Sequence, residues 1–179
     1  MGGGAMNGPG AVIWITGMSG SGKSSVAAEL LPRLVDRGVH PVLLDGDELR
    51  AALGLDGHFD HDSRHRLAFV YARLCAMIAQ QGHVVICSTI ALFHDVQAWN
   101  RANLAGYFEV FLDVPADKLQ ARNSTGLYDS GLRHVVGVDV PAEFPIQPDL
   151  RISNYGATTP TAAARRIVRL CEIRGLCPG

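Results

Sequence analysis

The chain has 179 residues, of which 47% are hydrophobic and 18% charged, enough apolar material for the core of one domain. Its formal net charge of −1 excludes the positive field that grips nucleic acid or an anionic membrane surface. No apolar run is long enough to span a bilayer and no signal-peptide pattern is present, so a cytoplasmic protein is expected.

In chain order, Met1 to Gly10 (MGGGAMNGPG) reads as a disordered leader, and residues 11–179 as a single domain. Val12 to Thr16 is a β-branched strand. Gly17-Met18-Ser19-Gly20-Ser21-Gly22-Lys23-Ser24 follows, matching G-x-x-x-x-G-K-[ST] at every fixed position. Ser25 to Leu31 then reads as helix. A strand before and a helix after turn the string into a phosphate site. Its glycines let successive N–H groups converge on one anion, and the helix N-terminus adds its dipole. Lys23 would reach the β- and γ-phosphates, and the Ser24 hydroxyl would bind Mg²⁺. The only other lysine is Lys118.

Val39 to Leu44 is a second apolar run, ending in Asp45-Gly46-Asp47-Glu48-Leu49-Arg50. Apolar residues spaced by three and four predict a helix over Arg64 to Gln81, with Gly82 ending it. His83 to Ser88 reads as a buried strand, Asp95 to Leu104 as a helix, and Phe108 to Asp113 as a strand. Pro115 opens a helix near Asp117 to Arg122. Asn123 to Pro148 is rich in Gly, Pro, Ser and Asp and reads as a mobile lid. Asp149 to Ile152 is a short last strand, and Thr161 to Arg174 a closing helix with Gly175 past its end. Strands alternating with helices imply right-handed βαβ units, hence a three-layer α/β/α fold of the P-loop NTPase class around a parallel sheet. Ligands in such folds sit at the carboxyl ends of strands, where Thr16, Asp45, Ser88 and Asp113 fall.

The phosphate site alone fits kinases, GTPases and motor ATPases. No N-K-x-D or T-K-x-D segment is present to read guanine, and a motor would carry more chain. A small domain with a lid and carboxylates after strand two favours a small-molecule kinase. Of Asp45 and Asp47, one can hold Mg²⁺ and the other accept the proton of an attacking hydroxyl. The plain alternative is a polar turn with Asp47 capping a helix. His58, His61 and His65, among Asp60 and Asp62, read as a solvated loop capped by Asp62 or Ser63 rather than a zinc site. Trp99 reads as core. Cys75, Cys87, Cys171 and Cys177 lack C-x-x-C spacing and read as reduced thiols.

The segments Ile15 to Ser24, Leu44-Asp45-Gly46-Asp47-Glu48-Leu49-Arg50, Phe108 to Phe111, Gly126-Leu127-Tyr128 and Gly137-Val138-Asp139 resemble adenylylsulfate (APS) kinases in the family's order. The resemblance implies transfer of the γ-phosphate of ATP to a ribose 3′-hydroxyl of a nucleotide acceptor, in a homodimer. It places Gly17, Ser19, Gly20, Ser21, Gly22, Lys23, Ser24, Ser25 and Arg122 on the ATP side. Ser24 and Asp45 serve the metal, while Lys23, Asp45 and Asp47 serve the chemistry, with Asp47 chosen as base. Arg50, Phe59, Arg64, Ile90, Leu127 and Val138, with Asp47, fall on the acceptor side, where Phe59 would stack on the base.

The departures gather on that acceptor side. Aligned through Gly82, Leu67 stands where the family has an asparagine, and Phe69-Val70 where it has two arginines. Ile90-Ala91-Leu92-Phe93 replaces Ile-Ser-Pro-Tyr, and Thr125 replaces the lysine before Gly126-Leu127-Tyr128. Val135-Val136-Gly137 replaces Phe-Thr-Gly, so one ring of the base sandwich is gone. By analogy with single-strand binders, such stacking is worth about 1–3 kcal/mol. Ala98-Trp99-Asn100-Arg101 and Pro148-Asp149-Leu150 look like relatives from surface-polysaccharide and secondary-metabolite gene clusters, cytidine diphosphoramidate kinase among them. A redirected acceptor is therefore expected, with APS itself, a metabolite hydroxyl, or a catalytically weak ATP-binding protein as alternatives.

Overall fold

A computed structural model describes residues 10–55, 60–122 and 142–177. Five strands form one all-parallel sheet: β1 (Ala11–Thr16), β2 (Val42–Asp45), β3 (Val84–Thr89), β4 (Tyr107–Asp113) and β5 (Leu150–Ser153). Their order is β2-β3-β1-β4-β5. The helices are α1 (Lys23–Val35), α2 (Gly46–Ala52), α3 (His61–Ala79), α4 (His94–Asn103), α5 (Ala116–Ala121) and α6 (Pro160–Ile173). Each strand therefore returns to the sheet through a helical crossover, as the alternating pattern requires.

Strand alternation sorts β1 between two cores. Ile13 and Ile15 pack with Val26, Leu30, Phe108 and Ile167 beneath α1 and α6. Val12 and Trp14 pack with Leu67, Tyr71, Val85 and Val96 beneath α3 and α4. All six residues of β1 are buried, as are all six of β3, and such two-sided burial is why neither alternates in polarity. Because β1 is central, the loop leaving its carboxyl end emerges at mid-sheet, with β3 and β4 beside it.

Several boundaries differ from the sequence reading. β2 begins at Val42, not Val39, because Pro41 has no N–H for a ladder. Residues 46–52 form a helix where the sequence suggested a turn, and Asp45, not Asp47, caps it. α3 begins at His61, capped by Asp60 rather than Asp62 or Ser63: the Asp60 carboxylate accepts from the Ser63 amide at 2.9 Å. Those bonds to Ser63 draw the Asp60 carboxyl down to about 2. Gly10, assigned to the leader, is buried and donates to the Ala79 carbonyl at 3.1 Å. The rest of that leader (residues 1–9) lies outside the described residues. So does most of the proposed lid (123–141); its remainder, 142–148, is irregular.

All four cysteines are free and buried. No helix among the described residues is long and apolar enough to cross a membrane. At α6, the Thr159 hydroxyl accepts from the Ala162 amide at 3.1 Å, and Pro160 supplies the first helical residue. Thr159→Ala should lower unfolding free energy by about 1 kcal/mol, read from the urea midpoint at unchanged m-value.

Candidate active site

The loop from Gly17 to Gly22 wraps the carboxyl end of β1 and delivers its chain into α1. Gly22 has φ +90°, and a Cβ there would stand 2.7 Å from the Asn154 side-chain nitrogen. Both facts demand glycine at that position. Lys23, only 9% exposed, donates from Nζ to the Met18 carbonyl at 2.8 Å. Burial lowers its pKa from 10.5 to about 8. The Asp45 carboxylate pushes it back up, and the Arg50 guanidinium pushes it further down. The lysine is thus held inside its own loop, poorly solvated, where an anion would keep it charged to higher pH.

Asp45 ends β2 and joins two elements. One carboxylate oxygen accepts from the Asp47 amide at 2.9 Å, capping α2. The other accepts from the Ser24 hydroxyl at 2.7 Å. The two oxygen donors assigned to Mg²⁺ by sequence therefore adjoin across the mouth of the loop. Hard oxygens with room for water and phosphate suit Mg²⁺, which keeps several waters and few protein ligands. Gly46 sits hard against β3: a Cβ would lie 2.9 Å from Thr89 Oγ1.

An open cleft of about 320 Å³ collects these groups at the carboxyl end of the sheet. Ser19, Gly20, Gly22, Lys23, Ser24 and Ser25 line it from the loop and α1. Asp45, Gly46, Asp47 and Arg50 line it from β2 and α2. Ser88, Thr89 and Ile90 line it at the end of β3, and Arg122 from the end of α5. Gly17 and Ser21 lie beneath, Gly17 against the Leu112 carbonyl. Asp47 is exposed and forms an ion pair with the more enclosed Arg50.

Arg64, half-buried at the start of α3, has its pKa lowered by burial and then by Arg50, with Asp60 opposing. Two guanidiniums thus face the same region. Phe59, Leu127 and Val138 lie outside the described residues. At the divergent positions, Leu67 is buried in the core and Val70 packs against it. Phe69 turns toward Trp99, with ring centroids 6.2 Å apart. The Arg73 guanidinium lies over the Phe69 ring, 5.6 Å from its centroid. His65 meets Asp95 at 2.7 Å and stacks with His61. No cluster of three His, Cys, Asp or Glu suited to a metal occurs among the described residues.

Two residues escaped the sequence reading. The Tyr71 hydroxyl, buried under α2, donates to the Gly46 carbonyl at 3.3 Å and bonds the Arg50 side chain; burial raises its pKa. Asn154, 3% exposed, follows β5. Its amide donates to the Asp113 carbonyl at 3.1 Å, and its side chain to the Ser21 carbonyl at 2.7 Å. Its own carbonyl accepts from Arg122 at 2.8 Å. The rule that sites lie at strand carboxyl ends would have nominated Asn154 had β5 been extended through Ser153. Nothing in the local sequence marks Tyr71.

A family model described as adenylylsulphate kinase matches residues 9–153. The chain is 35% identical over 149 residues to cytidine diphosphoramidate kinase of Campylobacter jejuni, covering 80% of this chain and 85% of that protein. It is 34% identical over 167 residues to adenylyl-sulfate kinase of Marinobacter nauticus, covering 90% and 84%. It is also 37% identical to the bifunctional enzyme NodQ of Azospirillum brasilense, but spans only 28% of that protein. Among solved structures, Mycobacterium tuberculosis APS kinase CysC in complex with AMPPNP and APS superposes with a TM-score of 0.83. That pair is 32% identical and covers 92% of this chain and 98% of the other. A P-loop built on a central parallel strand, with family signatures running the length of the sheet, places the chain in the adenylylsulphate kinase family of ATP-dependent phosphotransferases that act on a hydroxyl acceptor.

Proposed function

We propose that this kinase moves the γ-phosphate of ATP to the ribose 3′-hydroxyl of a nucleotide other than APS, with a pyrimidine nucleotide such as cytidine diphosphoramidate as the leading acceptor. The observation that carries the kinase reading is the Asp45 carboxylate, shared between Ser24 and the start of α2. ATP would lie along the loop, with Lys23 on its β- and γ-phosphates and Arg122 toward its nucleoside end. Mg²⁺, held by Ser24 and Asp45, would neutralise charge developing on the phosphates. Asp47 would accept the proton as the acceptor oxygen bonds to the γ-phosphorus and the bond to ADP breaks. Arg50 and Arg64 would hold the acceptor's phosphate.

The redirected acceptor is supported by the wall at positions 67, 69 and 70. Leu67 and Val70 belong to the core and Phe69 to the α3–α4 surface, so none offers an anion a hydrogen bond. A smaller base also tolerates one stacking ring rather than two. The relatives include kinases for both acceptors at similar identity, so the chemistry of the pocket, not overall likeness, favours the change.

ADP release from Mg·ATP should be fast with a cytidine diphosphate acceptor and at least tenfold slower, in kcat/KM, with APS. The reverse preference would make the chain a sulfate-activating enzyme. Asp47→Asn should abolish turnover on either and leave ATP affinity within about threefold; unchanged basal turnover would point to an ATP-binding protein.

The buried lysine gives a pH signature. Lys23 is charged below about pH 8 and neutral above it, and only the charged form pairs with a triphosphate. Affinity for Mg·AMPPNP should therefore be nearly flat from pH 6 to 7.5 and about tenfold weaker at pH 9 than at pH 7. Calorimetry near pH 8 in two buffers of different ionisation enthalpy should show proton uptake on binding. Equal affinity at pH 7 and 9 would mean that Lys23 either stays charged through pH 9 or makes no phosphate contact.

Tyr71→Phe keeps the ring in its core site and removes the hydroxyl from Gly46 and Arg50. Acceptor KM should rise about three- to tenfold while ATP KM stays unchanged. A fall in thermal stability with both KM values unaltered would mark Tyr71 as packing alone.

A further inference from the structure

A second cleft, of about 510 Å³, lies along the seam of α1 and α6. Arg33 and Arg37 enter it from α1, and Arg165 and Arg169 from α6. Four guanidiniums there face two carboxylates, Asp36 and Glu172. The chain as a whole is close to neutral; counting Glu29, which pairs with Arg33, four guanidiniums stand here against three carboxylates, a small local excess of positive charge.

The two pairs of arginines differ. Arg33 is tied to Glu29 at 2.8 Å, and Arg37 to Glu172 at 3.1 Å and the Arg33 carbonyl at 3.0 Å. Arg165 and Arg169 are exposed, one turn apart on one face of α6, and have no hydrogen bond or ion pair to any described residue. Elsewhere the arginines of this chain are mostly engaged: Arg101 with Glu109 and Asp149, Arg151 with Asp113, Arg174 with Asp149. The tied pair on α1 makes a rigid wall, and the open pair on α6 supplies two planar forks at helical spacing. Buried Val168, with Pro32, gives the cleft an apolar part.

This cleft is separate from the catalytic one. Arg33 stands ten residues beyond Lys23 on α1, about 15 Å along the helix axis, and the two clefts share no lining residue. Both helices end nearby, so their dipoles oppose an anion. Asp36 and Glu172 oppose it too. A single weak anion would gain little; a ligand with adjacent phosphate charges could engage both open forks at once.

We propose that the α1–α6 cleft is a second anion site, taking a small molecule with a diphosphate or two adjacent phosphate groups through Arg165 and Arg169. The cleft is large enough for a nucleotide-sized ligand. The proposal does not depend on which acceptor the catalytic site uses.

The test is calorimetric titration of inorganic pyrophosphate into full-length protein already saturated with Mg·AMPPNP, which fills the P-loop. The wild type should bind about one equivalent. The Arg165→Ala/Arg169→Ala variant, altered only at exposed positions, should bind at least tenfold more weakly with unchanged AMPPNP affinity and circular dichroism. A backbone-amide NMR titration should then move α6 signals around residues 165–169. No binding by the saturated wild type would overturn the site. Binding of equal strength in the variant would overturn it as well, assigning pyrophosphate to Arg50 and Arg64 instead.

Discussion

The site hangs on one carboxylate. Asp45 stands at the last position of β2, where one oxygen closes the first turn of α2 and the other takes the Ser24 hydroxyl. That side chain couples the β1–α1 phosphate loop to the β2–α2 segment, two units joined in the sheet only through β3. The cap fixes where Asp47 and Arg50 point, because both sit on α2 within five residues of it. Tight contact of Gly46 with Thr89 sets the depth of the same turn from the β3 side. Loss of the Asp45 carboxylate would therefore remove the proposed Mg²⁺ ligand and loosen the start of α2 together.

Around that link the electrostatics suit an anion. Lys23 is buried with one neighbouring carboxylate in its favour and one guanidinium against it. Its ammonium makes do with the Met18 carbonyl. Burial outweighs the single carboxylate in its favour, so a polyphosphate beside it would add compensation. Asn154 keeps the loop ready for it. By holding the Ser21 carbonyl, the end of β4 and Arg122 at once, it ties the phosphate end of the cleft to the end assigned to the nucleoside.

Much of this was legible in the sequence because it is local. The loop, its lysine and its hydroxyl are specified by ten consecutive residues, and alternation of apolar runs sufficed for the parallel sheet. What was missed is of two kinds. Short elements governed by side-chain caps were misplaced: α2 is only seven residues long, and Asp60 lay unrecognised among other acids and histidines. Tyr71 and Asn154 were missed because their roles depend on strand order. Tyr71 reaches Gly46 because α3 packs beneath the β2–α2 turn, and Asn154 reaches Ser21 across β4 from the sheet edge. Neither adjacency has a trace in spacing along the chain.

The proposed change of acceptor would leave the phosphate loop untouched, because the divergent positions lie on α3. Leu67 and Val70 have joined the core under α3, where a guanidinium would carry a heavy desolvation cost. Placing apolar side chains there strengthens the packing that holds Tyr71, and through it Gly46 and Arg50. On the proposed reading, recognition of acceptor charge would fall to Arg50 and Arg64, where burial and then the Arg50 charge lower the proton affinity of Arg64. A ligand that needed a cation at positions 67 and 70 would find hydrocarbon there. On the proposed reading, the apolar wall would disfavour an acceptor needing a cation at positions 67 and 70, while its packing holds Tyr71 against the turn that carries Asp47 and Arg50.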